Sequence, residues 1–529
     1  MEIEGTKSRS FKGRRQRRLH LLPKNMNNIK LPVLLCALLS LLNGCAVGPD
    51  YVRPATTSPV AYKETAGWKV AAPADTLIKG AWWEIYNNPE LNALQEQVTI
   101  SNQNLAVAEA QFRQAKALVQ GTRAAFFPVV GTAATPSRTD TLSTSNGSTT
   151  RQTTTNYLLT GSVSWEIDIW GKTRRAVEAS EASAQASAAD LGAMRLSMQS
   201  SLMQDYFQLR TLDGQKQLLD LTAAEYQKFL DITKNRYKAG VASQTDVLNA
   251  QTQLSNTMAQ ALDTTVQRSQ LEHAIAVLIG KPASSFSLPV APLVLNPPAI
   301  PIGLPSDLLE RRPDIAAAER NMAAANAQVG VAKAAYYPSI SLNGTGGFDS
   351  SQFSNWLVWP SRYWSIGSTA SETLFNGGLR GAQTDQAIAA FDASVAAYRQ
   401  TVLTGFQEVE DNLAALRILS QEAKVQDQTV QAARQAAAIT LNHYKAGTAS
   451  SLDVVTTQTL ALNSQIAALA INGRLMVAHG LLIKALGGGW DSSSALAPVD
   501  AGNEQQKAAT GKSDPKTTAA TGIPGTSMD

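Results

Sequence analysis

The sequence predicts a mainly α-helical fold that also carries membrane-crossing β-strands, duplicated within one chain. Three observations predict it: a long-range repeat, the spacing of proline, and a change of hydrophobic period inside each half. "KAGVASQTD" at Lys238–Asp246 returns as "KAGTASSLD" at Lys445–Asp453, 445 − 238 = 207 positions later. "AAFFPVVG" from Ala124 is echoed by "AAYYPSIS" from Ala334, and "LRTL" at Leu209 by "LRIL" at Leu416. Matches on this scale are an internal duplication and not a short solenoid repeat.

Proline sets the boundaries, because inside a helix it costs about 3 kcal/mol. None lies from Ser137 to Lys281 or from Ser361 to Ala497, whereas eight fall in the 32 residues from Pro282 to Pro313. The expected organisation is therefore a first repeat over 81–281, a proline-rich linker over 282–312, a second repeat over 313–489 and a disordered tail over 490–529.

Within each half the period changes from two to helical. Tyr157, Leu159, Gly161, Val163, Trp165 and Ile167 alternate with Thr160, Ser162, Ser164, Glu166 and Asp168. Ile340, Leu342, Gly344 and Phe348, and then Trp364, Ile366 and Ala370, alternate in the same way. Period two means strands. "FFPVVGTAATPSR" reads as the first partner strand, joined through a polar loop "TDTLSTSNGSTTRQ". The hairpins are expected at about 124–168 and about 336–375. Strands of about 10 residues suit a tilted membrane crossing, but four cannot close a barrel, for which about eight is the minimum. Several chains must share one barrel.

After each hairpin, Leu191, Met194, Met198, Leu202, Tyr206, Leu209 and Leu212 step by 3 or 4. Tyr398, Val402, Phe406, Val409, Leu413, Leu416 and Leu419 do the same. These are core stripes of long packed helices, expected over about 170–279 and about 377–486. Asp213-Gly214 is the expected place for a bend in the first.

Only 17% of residues are charged and 6% aromatic, with long stretches of Ala, Gln, Ser, Thr and Leu, a helix-rich composition. The formal charge of +4 is misleading, because residues 1–44 hold nine Lys/Arg and two Glu, leaving 4 − 7 = −3 for the remainder. The basic run "KGRRQRR" precedes an apolar segment, "LPVLLCALLSLL", of twelve residues, too short to span a bilayer. That order is a secretory signal, and it argues against nucleic acid as a partner. Met26 offers a second start for the same signal. "LNGC" resembles a bacterial lipobox, which implies a mature start at Cys45 carrying an N-palmitoyl chain and an S-diacylglycerol, followed by a leader over 45–80. With Cys36 in the signal, no disulfide remains. His20, His273, His443 and His479 show no metal-ligand spacing, and "ERRPDI" offers a helix start without a base or nucleophile. No catalytic residue, metal or cofactor other than the lipid is expected.

Four stretches together resemble one family: "GCAVGPDYVRP" from Gly44, "AWWEIYNNPELNAL" from Ala81, "ERRPDI" from Glu310, and the paired "YKAG" motifs. They are similar to the TolC-like outer-membrane factors, in the lipoprotein branch of RND-type efflux proteins, the NodT family. The resemblance implies a homotrimer with a 12-stranded barrel and an α-helical periplasmic tunnel, lipid-anchored in the outer membrane. It also implies a passive exit duct for drugs or metal ions, working with a periplasmic adaptor and an inner-membrane RND-type transporter. A periplasmic adaptor and a structural coiled-coil lipoprotein are the rival readings. In the family the Tyr-x-x-Gly turns form the periplasmic tip, which carries over to Tyr237, Gly240, Val241 and Ser243 and to Tyr444, Gly447, Thr448 and Ser450. Asp246, Asp453 and Tyr444 fall where the family places its closed aperture. Ala449 and Thr456 depart from that pattern.

Overall fold

The computed structural model describes residues 46–55, 58–59, 61–64, 80–145, 147–294 and 311–490. The signal, Cys45, much of the leader, linker residues 295–310 and tail residues 491–529 lie outside the described residues. The chain divides after Ala46 into two units, and the second, from Val47, holds all the helices and strands of the described residues.

Its elements come in one order, twice. In the first half, a short 3-10 turn at Trp82–Tyr86 leads to helices α1 (Pro89–Ser101) and α2 (Gln103–Arg123). Strands β1 (Val129–Ser145) and β2 (Ser148–Ile167) follow, then α3 (Lys172–Lys238) and α4 (Gln244–Leu278). The second half is α5 (Pro313–Ala334), β3 (Ser339–Ser350), β4 (Arg362–Ser371), α6 (Leu379–Ala446) and α7 (Ser451–Ala485). The long helices have 67 and 68 residues and the returning helices 35 each, so in these helices the duplication holds to one residue in length. At about 1.5 Å per residue, α3 and α6 are each about 100 Å long.

The four strands form one antiparallel sheet in chain order, β1-β2-β3-β4. Register decides its chemistry. Val130 faces Val163, Leu159 faces Phe348, Trp165 faces Leu342 and Gly344 faces Ile366, so most of the apolar residues of the four strands share one face. The other face is polar, where the Ser164 hydroxyl donates to Asn343 Oδ1 at 3.0 Å and Thr160 bonds Tyr363. Trp364 and Ile366 are 76% and 81% exposed, which water would penalise and lipid would not. From Tyr157 to Ile167 the apolar row is ten steps, about 33 Å along the strand, or about 25 Å of membrane thickness at a tilt of roughly 40°.

The first hairpin departs from expectation. The segment expected as a polar loop is strand, because β1 and β2 stay paired as far as Ser145↔Ser148. Its many threonines favour pleated backbone, and Gly147, at φ 78, takes a left-handed conformation suited to a tight hairpin turn. This ribbon continues nine residues beyond the Pro136↔Tyr157 pair, where β2 loses its β3 partner.

The helical part has no single central core. One apolar cluster joins Trp82, Leu91, Leu202, Leu209, Val409, Leu413 and Leu482 at mid-height. A second, nearer the turns, holds Tyr226, Phe229, Leu254, Tyr444 and Val454, and a third holds Ile315, Met322, Tyr398 and Val402. Where α3 meets α5, buried Ala182 packs with Ala323 and Ala324, so small side chains let the helices approach closely.

Asp213-Gly214 does not interrupt the helix: α3 runs unbroken through it. Asp213 is fully buried and accepts from Arg210 at 2.8 Å, from Arg268 of α4 at 2.6 Å and from the Ala291 amide at 3.1 Å. It spends its carboxylate on joining α3, α4 and the linker, so the backbone keeps its helical bonds. "ERRPDI" is likewise a joint. Pro313 opens α5, and buried Arg312 bonds Asp314, Glu408 of α6 and the Ala485 carbonyl of α7.

Candidate functional site

The turns between the long and returning helices are built alike. Gly240 has φ 74 and Gly447 has φ 85, conformations that side-chain-bearing residues rarely adopt. The Gly240 amide bonds the Tyr237 carbonyl at 2.9 Å and the Val241 amide bonds the Arg236 carbonyl at 2.9 Å. Gly447 and Thr448 repeat this pair on Tyr444 and His443, at 3.0 and 2.9 Å. Each long helix thus ends in the same two-bond glycine stop. Each returning helix starts on a reciprocal cap. The Asp246 amide donates to Ser243 Oγ at 3.1 Å while the Ser243 amide donates to the Asp246 carboxylate at 2.9 Å. Ser450 and Asp453 do the same at 3.2 and 3.0 Å.

Beyond that local symmetry the copies part. Tyr444 is 3% exposed and Tyr237 is 46% exposed. The Tyr444 ring packs on Phe229 with centroids 5.3 Å apart, and its hydroxyl lies 3.2 Å from the Thr233 hydroxyl. The Arg236 guanidinium sits 4.6 Å above the ring and donates to the Tyr444 carbonyl at 2.8 Å. The first tip therefore covers the second tip's tyrosine within one chain. Val241 and Thr448 are exposed at the turns, and Ala449 packs partly against the tip cluster.

The two carboxylates also differ. Asp246 has a second partner, the Ser451 hydroxyl at the start of α7. That bond is the main reason its carboxyl titrates below the usual range; burial opposes it, and Ser243 adds to it. Asp453 is held low chiefly by the Ser450 hydroxyl, then by the Ser450 amide, and it is fully exposed. Thr233, Arg236 and Ser451 complete this site, and none stands out in the sequence, because the Thr, Arg and Ser that matter are chosen by which helix face lands opposite Tyr444.

At the other end, the leader motif proves to be a strap. The Val47 amide donates to the Trp170 carbonyl at 3.0 Å, where the sheet gives way to α3. Asp50 pairs with Arg175 at 2.7 Å, the Tyr51 hydroxyl donates to Glu319 at 2.6 Å, and Arg53 donates to the Tyr398 hydroxyl at 3.0 Å. Further on, Glu64 accepts from Arg417. "AWWEIYNNPELNAL" wedges behind α3, with Trp82 Nε1 donating to Gln199 at 3.2 Å and Asn88 capping α1.

This arrangement, an amphipathic sheet at one end of paired long helices with caps at the other, has known counterparts. The family described as outer membrane efflux protein matches residues 94–281 and 304–488, one stretch for each half. The pyoverdine export outer membrane protein OpmQ of Pseudomonas putida is 31% identical over 437 residues, 81% of this chain and 93% of its own. Nodulation protein T of Rhizobium leguminosarum bv. trifolii is 30% identical over 430 residues, 79% of this chain and 89% of its own. The solved outer-membrane channel OprN superposes with a TM-score of 0.79 at 30% identity, over 84% of this chain and all of that one. The adaptor reading finds no support among these relatives. The chain belongs to the outer membrane efflux protein family, and it is the outer-membrane channel component of an efflux system.

Proposed function

We propose that three copies of the chain close one 12-stranded barrel, each anchored by acyl chains on Cys45, and form a passive exit duct for small molecules. The observation that carries this reading is the sheet: its apolar face is continuous across four strands, and within the chain β1 and β4 each pair on one side only. Unpaired edges are untenable in lipid, and neighbouring copies satisfy them by pairing β4 of one with β1 of the next. Four strands give twelve with three copies; the number three follows the family resemblance. The lumen would then be lined by Thr160, Ser162, Ser164, Asn343, Thr345 and Thr369, with the carboxylates of Glu166 and Asp349 on the same polar face. OpmQ is named for pyoverdine export, and a small-molecule cargo is proposed here by that likeness.

The lipid anchor is supported by the strap. Val47, two positions after the proposed anchor in the sequence, is fixed beside Trp170, where the sheet gives way to α3. Trp170 stacks on Tyr337 with centroids 4.8 Å apart there, as aromatic belts do at bilayer interfaces.

At the far end, Tyr237, Gly240, Val241 and Ser243, with Tyr444, Gly447, Thr448 and Ser450, form six turns per trimer for a periplasmic adaptor, behind which an inner-membrane RND-type transporter supplies energy. Asp246 and Asp453 converge at the aperture that Tyr444 helps to hold, and their charge favours cations. Purified protein is expected to run at three chain masses and to conduct in planar bilayers; a single-chain mass without conductance overturns the reading. Neutralising Asp246 and Asp453 together should lower cation preference or raise resting conductance, and unchanged values of both would remove the aperture assignment. Bulky residues at Gly240 and Gly447 should weaken cross-linking to the adaptor with membrane insertion intact.

A further inference from the structure

The duplication makes the interface within one chain a template for the interface between chains. Within the chain, residues at the end of α3 cover a tyrosine at the end of α6: Thr233, Arg236 and Phe229 lie against Tyr444. Shifted by 207, Tyr444 corresponds to Tyr237, Thr233 to Thr440, Arg236 to His443 and Phe229 to Ala436. The partner pair Asp246 and Ser451 corresponds in the same way to Asp453 and Gln244. Around a closed ring of alternating first and second halves, each second half meets a first half twice, once in its own chain and once in the next.

Three features agree that the second meeting surface is uncovered in the single chain. Tyr237 is 46% exposed although its copy is buried. His443 and Ala436 are exposed, although their copies Arg236 and Phe229 are partly or fully buried. Among the described residues Asp453 has only its own cap as partner, whereas Asp246 has Ser451 as well.

We propose that the Tyr237 ring of each protomer is covered by Thr440 and His443 at the end of α6 in the neighbouring copy, with Asp453 of that copy facing Gln244. This rests on the trimer proposed above. The tip ring then has two kinds of seam in alternation. Seams within a chain hold an arginine over a tyrosine, backed by the Phe229 ring. Seams between chains hold a histidine over a tyrosine, backed only by the Ala436 methyl. An imidazole lacks the permanent charge and five-donor fork of a guanidinium, and the phenyl-to-methyl exchange removes most of the apolar contact. The seams between chains are the weaker ones, and the tip parts there first.

Cysteine pairs test the geometry in the full-length protein. Tyr237→Cys with Thr440→Cys, bridged by a short thiol-to-thiol reagent, is expected to yield covalent species at two and three chain masses. Gln244→Cys with Asp453→Cys, a second and milder pair, should do the same. Asp246→Cys with Ser451→Cys should stay at one chain mass, and the unaltered chain controls for Cys45. Native mass is measured on each sample before bridging. A threefold native mass with both intersubunit pairs remaining at one chain mass overturns this inference alone, whereas a native mass of one chain overturns the trimer and this inference together.

Discussion

The two turns of the helical region share backbone, caps and sequence, yet one tyrosine is buried and the other half open. Local chemistry is thus common to both copies, and what distinguishes them is which surface lies alongside. Glycine stops and serine caps depend on residues within six positions of each other, so duplication preserves them intact. Burial of Tyr444 depends on Thr233 and Arg236, over 200 residues away in the chain, whereas Tyr237 is left 46% exposed by its own chain.

Substitutions separate these levels. The largest effect is expected from Tyr444→Ala, which removes a buried ring from the tip cluster and should cost about 3–5 kcal/mol, read as faster amide exchange in both turns. Tyr237→Ala should leave a detergent-dispersed single chain near its original stability; equal losses at the two positions would break the comparison. Next come Gly240→Ala and Gly447→Ala. No atom crowds either site, so each should cost only the left-handed backbone penalty, about 1–2 kcal/mol, and by the same amount at both. Unequal costs would mean that the turns are not locally equivalent. Ser243→Ala and Ser450→Ala should each cost about 1 kcal/mol of helix-end stability in the same exchange measurement.

The smallest effect discriminates most finely. Ser451→Ala should raise the Asp246 carboxyl toward its ordinary value and leave Asp453 unmoved, seen by NMR titration of the two side chains. Both carboxyls are depressed in the folded protein, so their contribution is full above the unfolded value near pH 4 and is lost as pH falls through the folded values. The acid side of the stability curve should therefore soften in Ser451→Ala, and a change at Asp453 instead would show that the seams are shared differently.

These distinctions mark what was legible in the residues. Hairpin and helix positions were, because period two and period 3.6 are direct images of strand and helix geometry. The duplicated turn glycines, Gly240 and Gly447, were too, and the structure adds Gly171 and Gly378 before the long helices and Gly280 and Gly487 after the returning ones, at the same 207 spacing. The extended first hairpin was missed, since a threonine-rich polar run reads equally as loop or ribbon until its partner is known. The role of Asp213 was hidden for a related reason: next to glycine it suggests a bend, and only the arginines of α3 and α4 explain a buried carboxylate in an unbroken helix. The strap motif was recognisable as a pattern, but its pairing with Arg175, Glu319 and Tyr398 was not readable from spacing.

That strap also dictates an order of assembly. Tyr51 and Arg53 find their partners 268 and 345 positions downstream, and Glu64 finds Arg417 353 positions downstream. The first residues to be synthesised must wait for both halves to fold before they have anywhere to dock, because closing so long a loop carries an entropic cost with little local reward beforehand. Seating of the leader thus reports completion: a chain whose second half has failed to form α5 and α6 leaves its own amino-terminal segment loose and accessible to proteases.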